Sequence, residues 1–382
     1  LALKEFPVPD LFVYGTLCHR PVLAEILGRE VQAVPALLPD ASVCHARNKG
    51  VPEAALCAAP GTAAEGLLLE GLSEEDVARL AFFSGGFGEG LQEREVLTGT
   101  GARVPVLVSC SAGLAQECGP LFRLSEWAAD WGELARRTAR EIMSQYGRAS
   151  ANEIAGRRPF LAARAWAQIL AQRGAPHELR AERAPDTVEI VQDHEGFEGF
   201  FRTRAFELRH RRFDGSMTET FSRECFVAYD AALVLPYDPA TDRVMLIEQL
   251  RYGPLFRGDP QLTVLEPAAG LVDAGESPEA CALREAQEEA GLDIRELRPM
   301  MKVYAAPGYS TEFYHCFLGL CALSEADNGM GGLEEEHEDI RNHVVPFEKA
   351  LALCDSGEVN VGPLAMMLYW LARHREELRS SA

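Results

Sequence analysis

A chain of 382 residues is long enough for two or three domains with cores of their own, and 47% apolar with 25% charged residues is a globular composition. A formal net charge of -21 argues against a nucleic acid or an anionic membrane surface as partner, because nothing offsets phosphate repulsion. It leaves room for a nucleotide whose charge is bridged by a metal. No apolar run approaches a membrane span, and the N-terminal residues show no secretory pattern. Ten cysteines lie scattered without CxxC pairs or His/Cys ligand spacing, so reduced thiols in the cytoplasm are expected rather than disulfides or zinc.

Residues 1–123 read as a first unit dominated by strands. Leu11-Phe12-Val13-Tyr14 is a short apolar strand ending in Gly15-Thr16-Leu17, with a helix expected from Pro21 and another strand at Leu67–Leu69. Ser73 caps a helix start, Leu72 and Val77 form its hydrophobic staple, and Glu95–Cys110 read as a hairpin around Gly99-Thr100-Gly101. This pattern predicts a small barrel of mixed sheet. The Val13–Leu17 stretch and the layout from Gly66 to Val96 resemble the γ-glutamylcyclotransferase-like fold. The resemblance implies a backbone anion site beside Gly15 and a catalytic Glu just after the Ser73–Phe83 helix. Ser84 stands at that place, and Glu89, Glu93 and Glu95 are displaced from it. A hydroxyl cannot take the proton from an ammonium group, so a degenerate domain that keeps the fold is expected.

Residues 124–178 turn helical and read as a connector. Ser125 is placed as the cap of a helix carrying Trp127, Trp131, Leu134 and Ile142 on one side. Ser150 with Glu153 reads as a capping box, and Pro159–Gln172 as a separate helix. Gly174-Ala175-Pro176 then breaks the pattern. The third domain, residues 179–382, alternates like strands at Val188–Val191, Gly199–Leu208, Cys225–Leu235 and Val244–Ile247. Later strands are expected at Met301–Ala305, Thr311–Leu318 and His343–Val345, with two helices closing the chain.

The segment Glu266–Leu292 organises this last domain. Gly270 is followed after five residues by Glu276, and after seven more by Arg284-Glu285-Ala286-Gln287-Glu288-Glu289-Ala290-Gly291-Leu292. Its second half reads as a helix, with Ser277 as cap, Pro278 in the first turn and Gly291 just past the end. Glu285, Glu288 and Glu289 stand at i, i+3 and i+4, which puts three mutually repelling carboxylates on one face. A hard divalent cation resolves that conflict. A solvated acidic face with an Arg284–Glu288 pair is the bland reading, which does not explain the glycines and Glu276. The stretch resembles the Nudix box at all of its fixed positions. The resemblance implies an α/β/α sandwich and Mg²⁺-dependent hydrolysis, Mn²⁺ being a possible substitute, of a nucleoside diphosphate linked to another moiety.

Segments outside the box resemble the ADP-ribose pyrophosphatase branch: Glu248-Gln249-Leu250-Arg251, Pro307 sixteen residues after Gly291, and Gly332–Arg341 as an acidic catalytic loop. Carried over, the resemblance implies that Glu285, Glu289, Glu338 and the Ala269 carbonyl hold Mg²⁺ and that Glu336 is the general base. Glu288 supports them, Glu276 braces the loop, and Arg284 orients a metal-binding Glu. Arg251 and Arg223 hold phosphates, and Glu266 and Pro307 belong with the substrate-binding residues. Phe200 matches a position that stacks on adenine, an ordinary core or interface Phe being the other reading. ADP-ribose is the expected substrate and a homodimer through this domain the expected assembly. Another nucleotide sugar, a cyclotransferase activity in residues 1–123, or a module that senses ADP-ribose without turnover are the alternatives. The pairing of the two domain types resembles bacterial tellurite-resistance-associated proteins, although no residue explains a link to tellurite.

Overall fold

The computed structural model describes residues 10–46, 51–85, 91–109, 119–175, 178–180, 185–194 and 196–380. Their contacts divide into two compact units, Leu1–Gly174 and Ala175–Ala382. In the first, the elements run β1 (Leu11–Tyr14), α1 (Arg20–Leu27), β2 (Ala33–His45), β3 (Ala54–Leu69), α2 (Glu74–Phe83), β4 (Leu91–Thr98), β5 (Arg103–Ser109), α3 (Leu124–Met143) and α4 (Ala151–Ala171). The strands close a barrel in the order β1-β3-β2-β4-β5, and parallel pairing of Leu11 with Leu107 and Phe12 with Val108 makes the closure. Phe12, Leu38, Val43, Leu56, Leu68, Val96, Val106 and Val108 are buried in one cluster. Gly66 is required there, since a Cβ would stand 2.3 Å from the Phe12 ring.

The helices of residues 124–171 pack on this barrel rather than standing free. Trp127 joins the cluster around Phe12 and donates its indole N–H to the Pro52 carbonyl at 2.8 Å, while Ile142, Ile154 and Leu161 join a second cluster with α1 and α2. Ser73 and Ser150 cap α2 and α4 in reciprocal boxes with Asp76 and Glu153. Two expectations are corrected. Ser125 lies inside the first turn of α3, whose N-cap is Arg123 without a side-chain cap. Pro159 does not begin a new helix but sits inside the continuous α4. Proline removes one backbone bond, but Ile154 before it and Leu161 after it are both buried, so packing on either side holds the helix together.

The second unit begins with a three-stranded antiparallel sheet, β6 (Val188–His194), β7 (Arg202–His210) and β8 (Phe221–Val227). It continues through β9 (Asp230–Asp238), β10 (Arg243–Leu250), α5 (Tyr252–Arg257), β11 (Thr263–Glu266), β12 (Ala268–Leu271), α6 (Pro278–Ala290), β13 (Glu296–Tyr304), β14 (Phe313–Leu320), β15 (Gly329–Gly331), β16 (Ile340–Pro346), α7 (Phe347–Ser356) and α8 (Gly362–Ser380). The expected strand Cys225–Leu235 is in fact two, β8 and β9, which belong to different sheets. The main sheet runs β13-β14-β9-β10-β16-β15, with β11 added to β10 and β12 to β9. Alternation sorts its faces. Ala231, Leu233, Leu235 and Tyr237 of β9 pack with Phe347, Leu364, Met367 and Leu371 of α7 and α8, whereas Met245 and Val344 pack with Ala290 and Leu292 at the end of α6. The unit is a mixed α/β sandwich. No helix among the described residues is long and apolar enough to cross a membrane.

Candidate active site

β9 and β10 pair only at their shared turn, Asp238 with Arg243 and Tyr237 with Val244. Beyond it they part, β9 taking β12 as neighbour and β10 taking β11. The chain leaving β12 enters α6. Ser277 Oγ accepts from the Ala280 N–H at 3.1 Å, Pro278 opens the helix, and Gly291 closes it at φ 66°. The Gly291 N–H returns to the Gln287 carbonyl at 3.0 Å, the bond of an αL cap, and the Leu292 N–H reaches the Ala286 carbonyl at 3.1 Å. Cys281, Ala282 and Ala286 are fully buried, so small side chains let the helix lie close to the sheet.

That approach places the carboxylates. A Cβ on Gly270 would stand 1.8 Å from Glu285 Oε1, so glycine clears the seat that the carboxylate takes against β12. Glu289 Oε2 accepts from the Ala269 N–H at 2.7 Å. Arg284 spreads one guanidinium over Glu285 (2.6 Å), Glu288 (2.9 Å), both oxygens of Glu276 (3.2 Å) and the Leu271 carbonyl (3.2 Å). The planar fork suits this multiple engagement as an ammonium would not. Burial alone would depress the Arg284 pKa, but the Glu276 hydrogen bond and the Glu285 charge outweigh it and raise the value.

Glu285 is 8% exposed and Glu289 only 1%. Burial pushes the Glu285 carboxyl up to about 7, against the pull of Arg284 and with the help of the Glu288 and Glu338 charges. Burial pushes Glu289 up to about 9, against the Ala269 N–H and with the help of Glu285 and Glu338. Glu338 therefore belongs to the same electrostatic cluster. Its Oε2 accepts from the Leu333 N–H at 3.1 Å, in the segment between β15 and β16. Among the described residues no three His, Cys, Asp or Glu side chains converge as a finished set of metal ligands. Each carboxylate leans instead on a neighbouring donor, as mutual repulsion requires. The donor set nonetheless fits a hard divalent cation: it is all oxygen, and a positive ion supplies the charge that burial withholds from Glu285 and Glu289.

Arg251 donates to Glu266 at 2.6 Å, so both expected substrate residues lie together at the start of α5 and the end of β11. The Arg251 charge also acts on Glu289. Arg223 engages its own strand: it donates to the Ser222 carbonyl at 2.8 Å and lies 4.4 Å over the Phe221 ring. Phe200 packs edge-on to Phe201 at 4.6 Å and tilted on Tyr229 at 5.4 Å, with 41% of its surface exposed. Pro307 is exposed on the turn that the Tyr309 and Ser310 N–H groups close onto the Ala306 carbonyl. The side chain of Glu336 lies outside the described residues. The sequence reading passed over Glu312, whose carboxyl burial pushes upward against a hydrogen bond from Tyr314 and the charge of Arg251. Its nearness to Pro307 in Ala305–Glu312 was the available signal.

A family model described as the NUDIX domain matches residues 228–362. The ADP-ribose pyrophosphatase of Escherichia coli K12 is 36% identical over 205 residues, 54% of this chain and 97% of the relative. That of Haemophilus influenzae is 35% identical over 196 residues, 51% of this chain and 90% of the relative. The GDP-mannose pyrophosphatase of Enterobacter sp. is 30% identical over 184 residues, 48% of this chain and 94% of the relative. A crystal structure titled as an ADP compounds hydrolase aligns with TM-score 0.41 at 20% identity, covering 53% of this chain and 99% of that one. The chain belongs to the Nudix hydrolases. Within them it is homologous to the ADP-ribose pyrophosphatases.

Proposed function

We propose that the chain hydrolyses the pyrophosphate of ADP-ribose to AMP and ribose 5-phosphate. The observation that carries this reading is the pair Glu285 and Glu289 seated against β12, with the Glu338 charge acting on both and the Arg251 charge acting on Glu289. Glu285, Glu289, Glu338 and the Ala269 carbonyl would hold Mg²⁺, or Mn²⁺ in its place. Such a cation, when bound, neutralises the pyrophosphate and acidifies water. Arg284 keeps Glu285 and Glu288 in place through fixed hydrogen bonds, so little reorganisation accompanies binding. Arg251 and Arg223 take phosphate oxygens, and Glu336 accepts the proton of the attacking water. Phe200 offers a partly exposed ring for the adenine.

GDP-mannose is the competitor of consequence, since relatives that carry that name are 30–31% identical over 184 residues. A panel of ADP-ribose, GDP-mannose and NADH with Mg²⁺ and product identification decides the matter. ADP-ribose is expected to have the highest kcat/KM, and a higher value for either other compound would overturn the assignment.

The same reading includes three coarser proposals. The Nudix unit forms a homodimer that brings Arg223 to the partner's site. The barrel of residues 1–123 is a cyclotransferase-like domain without cyclotransferase activity. Finally, the protein resides in a reducing cytoplasm, which suits the absence of a disulfide among the eight described cysteines and is checked by cell fractionation.

A further inference from the structure

Helix α6 ends at Ala290, so the carbonyls of its last turn lack partners within the helix. The cap at Gly291 and Leu292 closes the Gln287 and Ala286 carbonyls. The Glu289 carbonyl is met from outside: Asn342 of β16, only 5% exposed, donates Nδ2–H to it at 3.3 Å. β15 crowds the same oxygen. A Cβ on Gly331 would stand 1.9 Å from it, so only glycine allows the strand to come so near. β15 and β16 are paired, Gly329 opposite Asn342 and Gly331 opposite Ile340, and the segment between them carries Glu336 and Glu338. One backbone oxygen is thus touched by both legs of the hairpin whose tip holds the acidic segment.

Two further buried polar atoms lie beside this contact. Asn342 Oδ1 has no hydrogen-bond partner among the described residues, and neither has Gln249 Nε2. Asn342 faces Ile247 across the β10–β16 pair, and Gln249 lies two residues further along the same face of β10. A buried amide with an orphaned atom carries a cost, which offsets part of what its bond to the Glu289 carbonyl contributes.

We propose that Asn342, with the room that Gly331 leaves, is a positioning residue for Glu289. It ties the stem of the acidic segment to the main chain of Glu289, and so holds Glu289 and Glu338 in one frame for a shared divalent cation. The proposal rests on the reading of those two carboxylates as cation ligands, and it is independent of which nucleotide sugar is the substrate.

The test uses the full chain with Asn342→Leu and Gly331→Ala, and reads metal-free Tm and Mn²⁺ affinity by titration. Asn342→Leu is expected to keep cooperative melting with its Tm lowered by no more than a few degrees, since the Glu289 carbonyl loses one neutral donor, while Mn²⁺ affinity falls by roughly 10–100-fold, the range for lost partners of metal ligands. Gly331→Ala should weaken Mn²⁺ binding too, by pushing the helix end away. Turnover lost at limiting Mn²⁺ should return as Mn²⁺ is raised. Mn²⁺ affinity within twofold of the parent in either folded variant overturns the proposal. Loss of cooperative melting in both overturns it as well, since the role is then structural. A parent that binds Mn²⁺ normally but leaves ADP-ribose intact sinks the assigned activity and not this inference. A parent that binds no Mn²⁺ sinks both.

Discussion

The carboxylates of the candidate site do not share one task. Glu289 is almost wholly buried and accepts a backbone N–H from the strand that carries Gly270. Removing its charge should weaken cation binding and turnover together. Glu336 lies on the segment between β15 and β16, and the task proposed for it is proton transfer. Glu336→Gln should therefore leave Mg²⁺ and substrate affinity near the parent values while kcat falls by roughly 10²–10⁴-fold, the usual range for a lost general base. Isothermal titration of Mg²⁺ alongside steady-state kinetics separates the two. Equal loss of Mg²⁺ affinity in Glu289→Gln and Glu336→Gln would merge the roles.

At the scale of elements, the C-terminal helix is tied to the turn between β9 and β10 by charge. Asp242 adopts φ 59°, accepts the Tyr237 hydroxyl at 2.9 Å and receives Arg375 Nε at 2.8 Å, with a second Arg375 contact beside it. Burial pushes the Asp242 carboxyl up, but the hydrogen bonds of Arg375 and Tyr237 outweigh it and hold the pKa below the usual value. A depressed carboxylate contributes stability that is present above the unfolded pKa, about 4, and is lost as pH falls through the folded value. Asn tolerates positive φ, so Asp242→Asn removes the charge and keeps the turn. It should cost about 1.5–3 kcal/mol at neutral pH, as for a hydrogen bond to a charged group. The difference from the parent should shrink as pH falls below about 4, where the unfolded chain takes up a proton first and the folded Asp242 follows only at lower pH. Denaturant melts at pH 7 and pH 3 check this, and a difference that grows on acidification would contradict it.

At the scale of the whole molecule, the β6–β8 sheet is short of a core. Every residue of β6 is exposed, and Val188, Ile190 and Val191 keep 45%, 49% and 49% of their surface. A second copy covering these strands would bury them, so light scattering should give twice the chain mass at working concentrations. A fully active monomer would rule the dimer out. The barrel should release no 5-oxoproline from γ-glutamyl dipeptides. Ser84, at the position where the resemblance implies the base, is the C-cap of α2, and Glu95 is taken up by Arg103 at 3.0 Å. Glu89 lies outside the described residues. Turnover that vanishes in Glu89→Gln would make the chain bifunctional.

The sequence by itself determined what depends on near neighbours. The caps, carboxylate spacing and end of α6 follow from helical period and local hydrogen bonding, and all were legible between Ser277 and Leu292. The long pair β2–β3 was not, beyond Leu67–Leu69. Its Ala-, Pro- and Gly-rich strands have weak intrinsic preference for extended structure, and cross-strand pairing from Ala33–Leu69 to His45–Ala54 forms them. Pro159 reads locally as a helix boundary, but packing on both its sides carries α4 through it. Arg251 and Glu266 were named separately, and only antiparallel pairing of β10 with β11 made them partners. Tertiary structure alone decided the contact of Asn342 and Gly331 with the Glu289 carbonyl. Residues 42 and 53 positions apart met at one oxygen there because a hairpin folded back onto a helix end, and no local pattern encodes such a meeting.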